Sequence, residues 1–105
     1  MTVLAAFAVS LAVTVWPHGP AGPAGHYRVV CPGNAVCARL ARAGREAFLP
    51  VPGDVACSQI YAGPERALVI GTIGGRRVWA RFRRTDSCQT ARWDRLSFLF
   101  APGLR

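Results

Sequence analysis

Four cysteines are the residues of this chain whose chemistry is easiest to specify. They are Cys31, Cys37, Cys57 and Cys88, with 5, 19 and 30 residues between successive members. Paired zinc ligands usually lie roughly two to four residues apart, so this spacing argues against a metal site. An even number of cysteines in a chain of 105 residues instead favours two disulfides and an oxidising compartment.

The pairing of these cysteines is left open by the residues alone, because four cysteines allow three pairings. Joining Cys31 to Cys37 and Cys57 to Cys88 closes one short and one medium loop. In the loop-entropy model, the longer closure stabilises the fold by about 3.5 kcal/mol and the shorter by about 2 kcal/mol. A domain this small buries little surface, so its disulfides can decide whether it folds.

No set of side chains predicts catalysis. His18 and His26 flank a Gly/Pro-rich loop, and no serine has the setting of a nucleophile elbow. Asp54, Asp86 and Asp94 are interpreted as turn or cap residues, since they form no carboxylate pair at a catalytic spacing. We therefore expect no enzymatic activity, no metal and no cofactor.

The charge is strongly positive and comes entirely from arginine. Thirteen arginines and five acidic residues give a formal net charge of +8. The stretch RRVWARFRR (76–84) alternates arginine with apolar residues, which is typical of an edge strand with a charged outer face. A single-strand nucleic-acid binder could show a similar pattern, but the edge strand is the better interpretation, and nucleic acid is not expected as a partner.

The N-terminal run MTVLAAFAVSLAVTVW is short for a spanning helix, which needs about 20 residues, so no transmembrane span is predicted. It also has no Arg or Lys before its apolar part, where a complete secretory signal carries charge. We interpret residues 1–9 as the end of a signal peptide and SLAVTVW (10–16) as a β-branched strand that ends at Pro17.

The remaining elements predict an α+β fold, in which a small antiparallel sheet is packed by one main helix in two layers. Asn34 can cap that helix (35–49), and Gly44 is either tolerated in it or breaks it. Gly74-Gly75 predicts a hairpin. The predicted strands after the first are HYRVVC (26–31), RALVIGTI (66–73), RRVWARFR (76–83) and LSFLF (96–100). No internal repeat or domain boundary is visible.

The order and spacing of several short motifs resemble those of the Streptomyces subtilisin inhibitor family of secreted serine-protease inhibitors. The resemblance covers about residues 10–105, which we treat as one subtilisin-inhibitor-like domain. The motifs that carry it are SLAVTV (10–15), YRVVCP (27–32), VCARLARAG (36–44), CSQIYAGP (57–64), GGRRV (74–78), Cys88 and FLF (98–100).

The resemblance implies a reactive-site loop after the third cysteine, with the disulfides Cys31–Cys37 and Cys57–Cys88. Gln59 would be P1 and Ile60 P1′, so the presented bond is Gln59–Ile60. The loop would also contain Ala56 (P4), Cys57 (P3), Ser58 (P2) and Tyr61, with support from Cys88, Asp86 and Pro64. The family has an asparagine where this chain has Asp86, and a large apolar or basic residue where it has Gln59.

The resemblance further implies a secreted inhibitor of subtilisin-like or trypsin-like serine proteases and a homodimer built sheet against sheet. It also implies that SLAVTVW (10–16) is the first strand and forms an edge of the sheet. An alternative function is a secreted, arginine-rich binding module on an inhibitor scaffold that no longer inhibits. Such a module would attach to anionic envelope polymer or lipid through Arg76, Arg77, Arg81, Arg83 and Arg84. Inhibition should survive moderate salt, whereas surface attachment should weaken steeply with salt.

Overall fold

One antiparallel sheet forms the framework of the computed structural model, which describes residues 8–104. Its strands are β1 (Val9–Trp16), β2 (Gly25–Cys31), β3 (Gly63–Ile73) and β4 (Arg76–Arg84). Their order across the sheet is β2-β1-β3-β4. The predicted hairpin is confirmed: β3 and β4 are joined by Gly74 and Gly75, whose φ values of 57° and 80° suit a type I′ turn.

Strand β1 lies inside the sheet, so its prediction as an edge strand was wrong. It pairs with β2 on one side and with β3 on the other. The sequence could not show this, because alternation of apolar and polar residues is the same for inner and edge strands of a one-sided sheet. Residues 1–7 of the predicted signal remnant lie outside the described residues, and Val9 belongs to β1.

Short helices cover one face of the sheet. They are α1 (Cys37–Ala43), a 3-10 helix (Arg45–Phe48), α2 (Ser87–Arg95), α3 (Ser97–Phe100) and a second 3-10 helix (Ala101–Leu104). The predicted helix over 35–49 is broken at Gly44, whose φ is 71°. The Asn34 carboxamide accepts a hydrogen bond from the Val36 amide at 3.0 Å, just before α1. No helix among residues 8–104 is long and apolar enough to cross a membrane.

The C-terminal segment was predicted incorrectly as a strand. In LSFLF (96–100), Leu96 precedes α3 and the other four residues form it. Leu96, Leu99 and Phe100 are buried at the spacing of a helix, which explains this structure. The preceding helix, α2, was not predicted at all. Its N-cap is Asp86, whose carboxylate accepts a hydrogen bond from the Gln89 amide at 2.8 Å.

The core lies between the sheet and the helices, which confirms the two-layer α+β fold with its two disulfides, Cys31–Cys37 and Cys57–Cys88. The largest side chains meet at its centre, where the Phe82 ring centroid is 4.9 Å from that of Phe100. Trp93 of α2 lies 4.6 Å from the same Phe100 ring. The inward residues of β1 are all buried: Val9, Leu11, Val13 and Val15.

Arg92 of α2 is a buried cation held by backbone carbonyls. Its guanidinium donates hydrogen bonds to the carbonyls of Leu49 (2.6 Å), Arg81 (2.6 Å) and Phe48 (2.9 Å). It also lies 4.2 Å from the Phe82 ring centroid, where the π face attracts a cation. Burial, and then the charge of Arg83, lowers the pKa of Arg92 from its usual value. The side chain thus joins α2, β4 and the first 3-10 helix.

We expect Arg92→Met to lower the free energy of unfolding by about 3 kcal/mol, because three carbonyls lose their donor in a site that water does not replace freely. Urea denaturation measures the change. Arg95→Met, at the exposed end of the same helix, is the matched control and should change stability by less than about 0.5 kcal/mol. Equal effects of the two substitutions would contradict the role given to Arg92.

Gly71 allows the central strands to approach closely. It pairs with Leu11 of β1 and with Val78 of β4. A Cβ atom at this position would collide with the Ser10 carbonyl oxygen and lie 2.9 Å from the Leu11 Cα. Both obstacles are backbone atoms, so a side-chain rotation cannot relieve the clash.

Gly71→Ala should therefore destabilise the protein by about 2 kcal/mol or more, since the two strands must move apart to admit the methyl group. A thermal unfolding scan of the oxidised protein tests this. Gly53→Ala should leave the melting temperature nearly unchanged, because a Cβ there meets open space. A stable Gly71→Ala protein would show that β1 and β3 are not held at this spacing.

Candidate functional site

Residues 49–62 connect the first 3-10 helix to β3 without forming a strand or helix, and we name this segment the tethered loop. It contains every residue of the predicted reactive-site loop, Ala56 to Tyr61. The surrounding elements hold it at its start, middle and end. At the start, the carbonyls of Phe48 and Leu49 accept hydrogen bonds from Arg92.

The Cys57–Cys88 disulfide joins the middle of the loop to the first turn of α2. The Cα atoms of the two residues are 5.5 Å apart. Asp86 begins this helix as its N-cap and therefore fixes the direction in which Cys88 points. The Asp86 carboxylate makes no hydrogen bond to the loop among the described residues, so its contact with the loop is indirect.

Ser58 and Ser87 are joined by two hydrogen bonds beside the disulfide. The Ser58 amide donates to the Ser87 hydroxyl at 2.8 Å, and the Ser87 amide donates to the Ser58 carbonyl at 2.9 Å. Both polar groups of the Ser58 main chain, the amide and the carbonyl, are therefore hydrogen-bonded to Ser87. This pair sets the position of the residue that directly precedes Gln59.

The end of the loop is fixed to β4. The Ala62 amide donates to the Arg84 carbonyl at 2.8 Å, and β3 begins at the next residue. The Arg84 guanidinium forms a half-buried ion pair with Glu65 at 3.1 Å. Pro64, predicted to support the loop, is an exposed residue near the start of β3. The chain therefore leaves the loop directly into a paired strand.

Gln59 lies at the tip of a three-residue turn between these fixed points. The Ile60 amide donates to the Ser58 carbonyl at 2.9 Å, which closes a turn centred on Gln59. Gln59 is exposed, and so are the next two side chains, with Ile60 65% and Tyr61 63% exposed. The main chain of Gln59 makes no hydrogen bond to another described residue, so its donor and acceptor face solvent.

The side chains near the disulfide also have the composition of a small metal site. One carboxylate oxygen of Asp86 and the sulfurs of Cys57 and Cys88 lie within 4.8 Å of one another. Zinc binds cysteine as a thiolate, and both sulfurs here are bonded to each other. In this oxidised form the cluster acts as a covalent link rather than a ligand set.

Three contacts of the loop were not predicted from the sequence. Ser87, the Arg84 carbonyl and Arg92 all hold the loop, yet none was predicted as a site residue. A signal for Ser87 exists, because Asp86 followed three residues later by Gln89 is a helix-start pattern, and Ser87 lies between this cap and Cys88. A backbone carbonyl such as that of Arg84 leaves no signal in the residue type.

Comparison with family models, curated proteins and solved structures finds no match for this chain. The chemistry open to the tethered loop follows from its own groups. The amide and carbonyl of Gln59 are free to pair with an extended cleft of another protein, whereas the Ile60 amide is already bonded to the Ser58 carbonyl. Because the neighbours of Gln59 are already fixed, little conformational entropy is lost on binding.

Ser87→Ala should speed hydrogen exchange of the Ser58 amide by about fivefold, because the hydroxyl that accepts its proton is removed and the contribution lost is about 1 kcal/mol. Two-dimensional NMR of the oxidised protein measures this exchange directly. Ser97→Ala, at an exposed helix position, should leave the Ser58 amide unchanged. Unchanged exchange in both variants would mean that the Ser58–Ser87 contact does not restrain the loop.

Proposed function

We propose that this protein inhibits serine endopeptidases of the subtilisin-like or trypsin-like kind by presenting the Gln59–Ile60 bond as a substrate. The observation that carries the proposal is an exposed bond at the tip of a turn whose two flanks are both tied to the folded core. Ser58 is fixed to Ser87 on one side and Ala62 to Arg84 on the other. The resemblance to the subtilisin inhibitor family supports the same bond.

Recognition would use the main chain first. A serine protease binds its substrate as an extended segment that pairs with the edge of its own cleft. The backbone of Gln59 is free for such pairing, and the exposed side chains of Ile60 and Tyr61 are free to fill pockets. Interfaces of this type have ordinary area, so their high affinity comes from a segment that is already ordered.

Slow release would follow from the ties on both sides of the bond. If the protease cleaved Gln59–Ile60, the new carboxyl end would stay attached through Cys57 to α2. The new amino end would stay within a few residues of β3, where Ala62 is bonded to β4. Both ends would remain in the cleft, so that religation of the bond competes with dissociation.

Gln59 would determine which proteases bind tightly. Its carboxamide is polar but uncharged, so it loses free energy in an apolar primary pocket and lacks the cation that a trypsin-like pocket pairs with. We infer that the wild-type protein binds common proteases weakly and a protease with a polar primary pocket better. The disulfides and the signal-like N-terminal residues support a secreted location for this activity.

The test is titration of subtilisin, trypsin and chymotrypsin with the oxidised protein and its Gln59→Met and Gln59→Lys variants. We expect Met to strengthen inhibition of subtilisin and chymotrypsin and Lys to strengthen inhibition of trypsin, each by at least about tenfold, because the new side chain suits the respective pocket. Mass spectrometry of the incubated mixtures should find any cleavage at Gln59–Ile60.

Ala91→Met and Ala91→Lys are the matched controls, because Ala91 is an exposed residue of α2 outside the loop. Both should inhibit as the wild type does. The proposal fails if correctly folded Gln59 variants leave all three proteases fully active, or if the Ala91 variants alter inhibition as much as the Gln59 variants do.

A further inference from the structure

Within residues 8–104, one face of the sheet is left uncovered by helices, and its side chains are exposed or half-buried. Along one row of the register, Arg28, Ala12, Ile70 and Trp79 lie side by side across all four strands. We name this surface, on the side of the sheet opposite to the helices, the open face. Its side chains used below are Arg28, Ile70, Arg77, Trp79, Arg81 and Arg83.

The centre of the open face is apolar and accessible. Trp79 is 60% exposed and Ile70 is 43% exposed, and the two are direct partners in the β3–β4 register. Trp79 also borders a depression of about 700 Å³, whose lining combines Trp16 and Leu68 of the same face with residues of the covered face and of the tethered loop, such as Phe82 and Pro50. The indole and the aliphatic side chain together form an exposed apolar patch, and a polar rim around such a patch is what marks a contact surface.

The charged side chains around this centre are all positive. Arg28, Arg77, Arg81 and Arg83 are exposed on the open face. The Arg81 guanidinium lies 4.8 Å from the Trp79 ring centroid, so a cation is in contact with the exposed indole. The acidic residues lie elsewhere: Glu46 in a 3-10 helix, Asp54 in the tethered loop, Asp86 and Asp94 at α2, and Glu65 in the ion pair with Arg84.

The structure also changes the set of arginines that the sequence suggested for surface attachment. Arg84 pairs with Glu65 and lies on the same side of β4 as the buried residues Val78, Ala80 and Phe82. Arg76 lies next to the hairpin turn. Arg28 joins the set from β2, at the opposite edge of the sheet. The positive charge therefore extends across the sheet instead of along one strand.

We infer that the open face binds the surface of a bilayer that contains anionic phospholipid. Arginines would lie at the headgroup phosphates, while Trp79 and Ile70 would enter the boundary between headgroups and acyl chains, where indole rings are favoured. A single-stranded nucleic acid would stack on Trp79 but make no use of Ile70 and the exposed Val30. A second copy of the chain would place arginines against arginines with no acid between them.

The proposal does not rest on protease inhibition, because the open face and the presented Gln59–Ile60 bond share no residue. The tethered loop is held by α2, which packs on the covered face of the sheet. Loss of one activity would leave the other unchanged.

The experiment is sedimentation of the full oxidised protein with vesicles of phosphatidylcholine alone or with about one third phosphatidylglycerol. Wild type should bind only the anionic vesicles, and Trp79 emission should shift to shorter wavelength on binding. The triple variant Arg28→Gln, Arg77→Gln, Arg81→Gln should partition about 100-fold less, since each arginine near an anionic surface contributes about fivefold. Trp79→Ser should weaken binding and remove most of the emission shift, because the other tryptophans, Trp16 and Trp93, are less exposed.

A triple variant of Arg39→Gln, Arg42→Gln and Arg95→Gln is the matched control, because it removes the same charge from exposed positions of α1 and α2. It should bind vesicles within a few-fold of wild type. Equal loss in both triple variants would overturn the proposal in favour of unspecific net charge. Binding to poly(dT) but not to vesicles, or a dimer in sedimentation equilibrium that hides Trp79, would overturn it as well.

Discussion

The guanidinium of Arg92 is the contact on which the arrangement of the helical layer depends. A buried cation without a carboxylate is stable only if backbone acceptors replace its lost water, and three carbonyls from two elements do so here. The ring of Phe82 adds a cation-π contact below the guanidinium. Because these acceptors are in β4 and at the end of the 3-10 helix, α2 has one position relative to the sheet.

That position is what makes the tethered loop a defined structure. Arg92 holds the carbonyls from which the loop departs, while Ser87 and Cys88 at the other end of α2 hold its middle. The strand that Arg92 joins, β4, also receives the returning chain at Arg84. The start and the middle of the fourteen-residue loop are therefore held by one short helix, α2, and its end is held by the strand to which α2 is bonded. Gln59 stays exposed between these fixed points.

The distribution of charge follows from the same two-layer construction. The inward side of the sheet is filled by apolar residues, so the arginines of β2 and β4 can only project outward or lie at the ends of strands. The acidic residues lie in helices, in the loop or in the ion pair with Arg84, and they do not neutralise the open face. A chain with net charge +8 thus has one face that is more uniformly positive than its composition requires.

The sequence by itself determined the features that depend on neighbouring residues. Alternation placed the strands, Gly74-Gly75 specified the hairpin, and an even set of cysteines indicated two disulfides. Only the tertiary structure decided that β1 lies inside the sheet, that LSFLF is helical, and that Ser87 and Arg92 hold the loop. A short apolar run suits a buried strand or helix equally, and the contacts of Ser58 with Ser87 and of Leu49 with Arg92 join residues distant in sequence. Such contacts exist only once the sheet and α2 have packed, because no local pattern brings their atoms together.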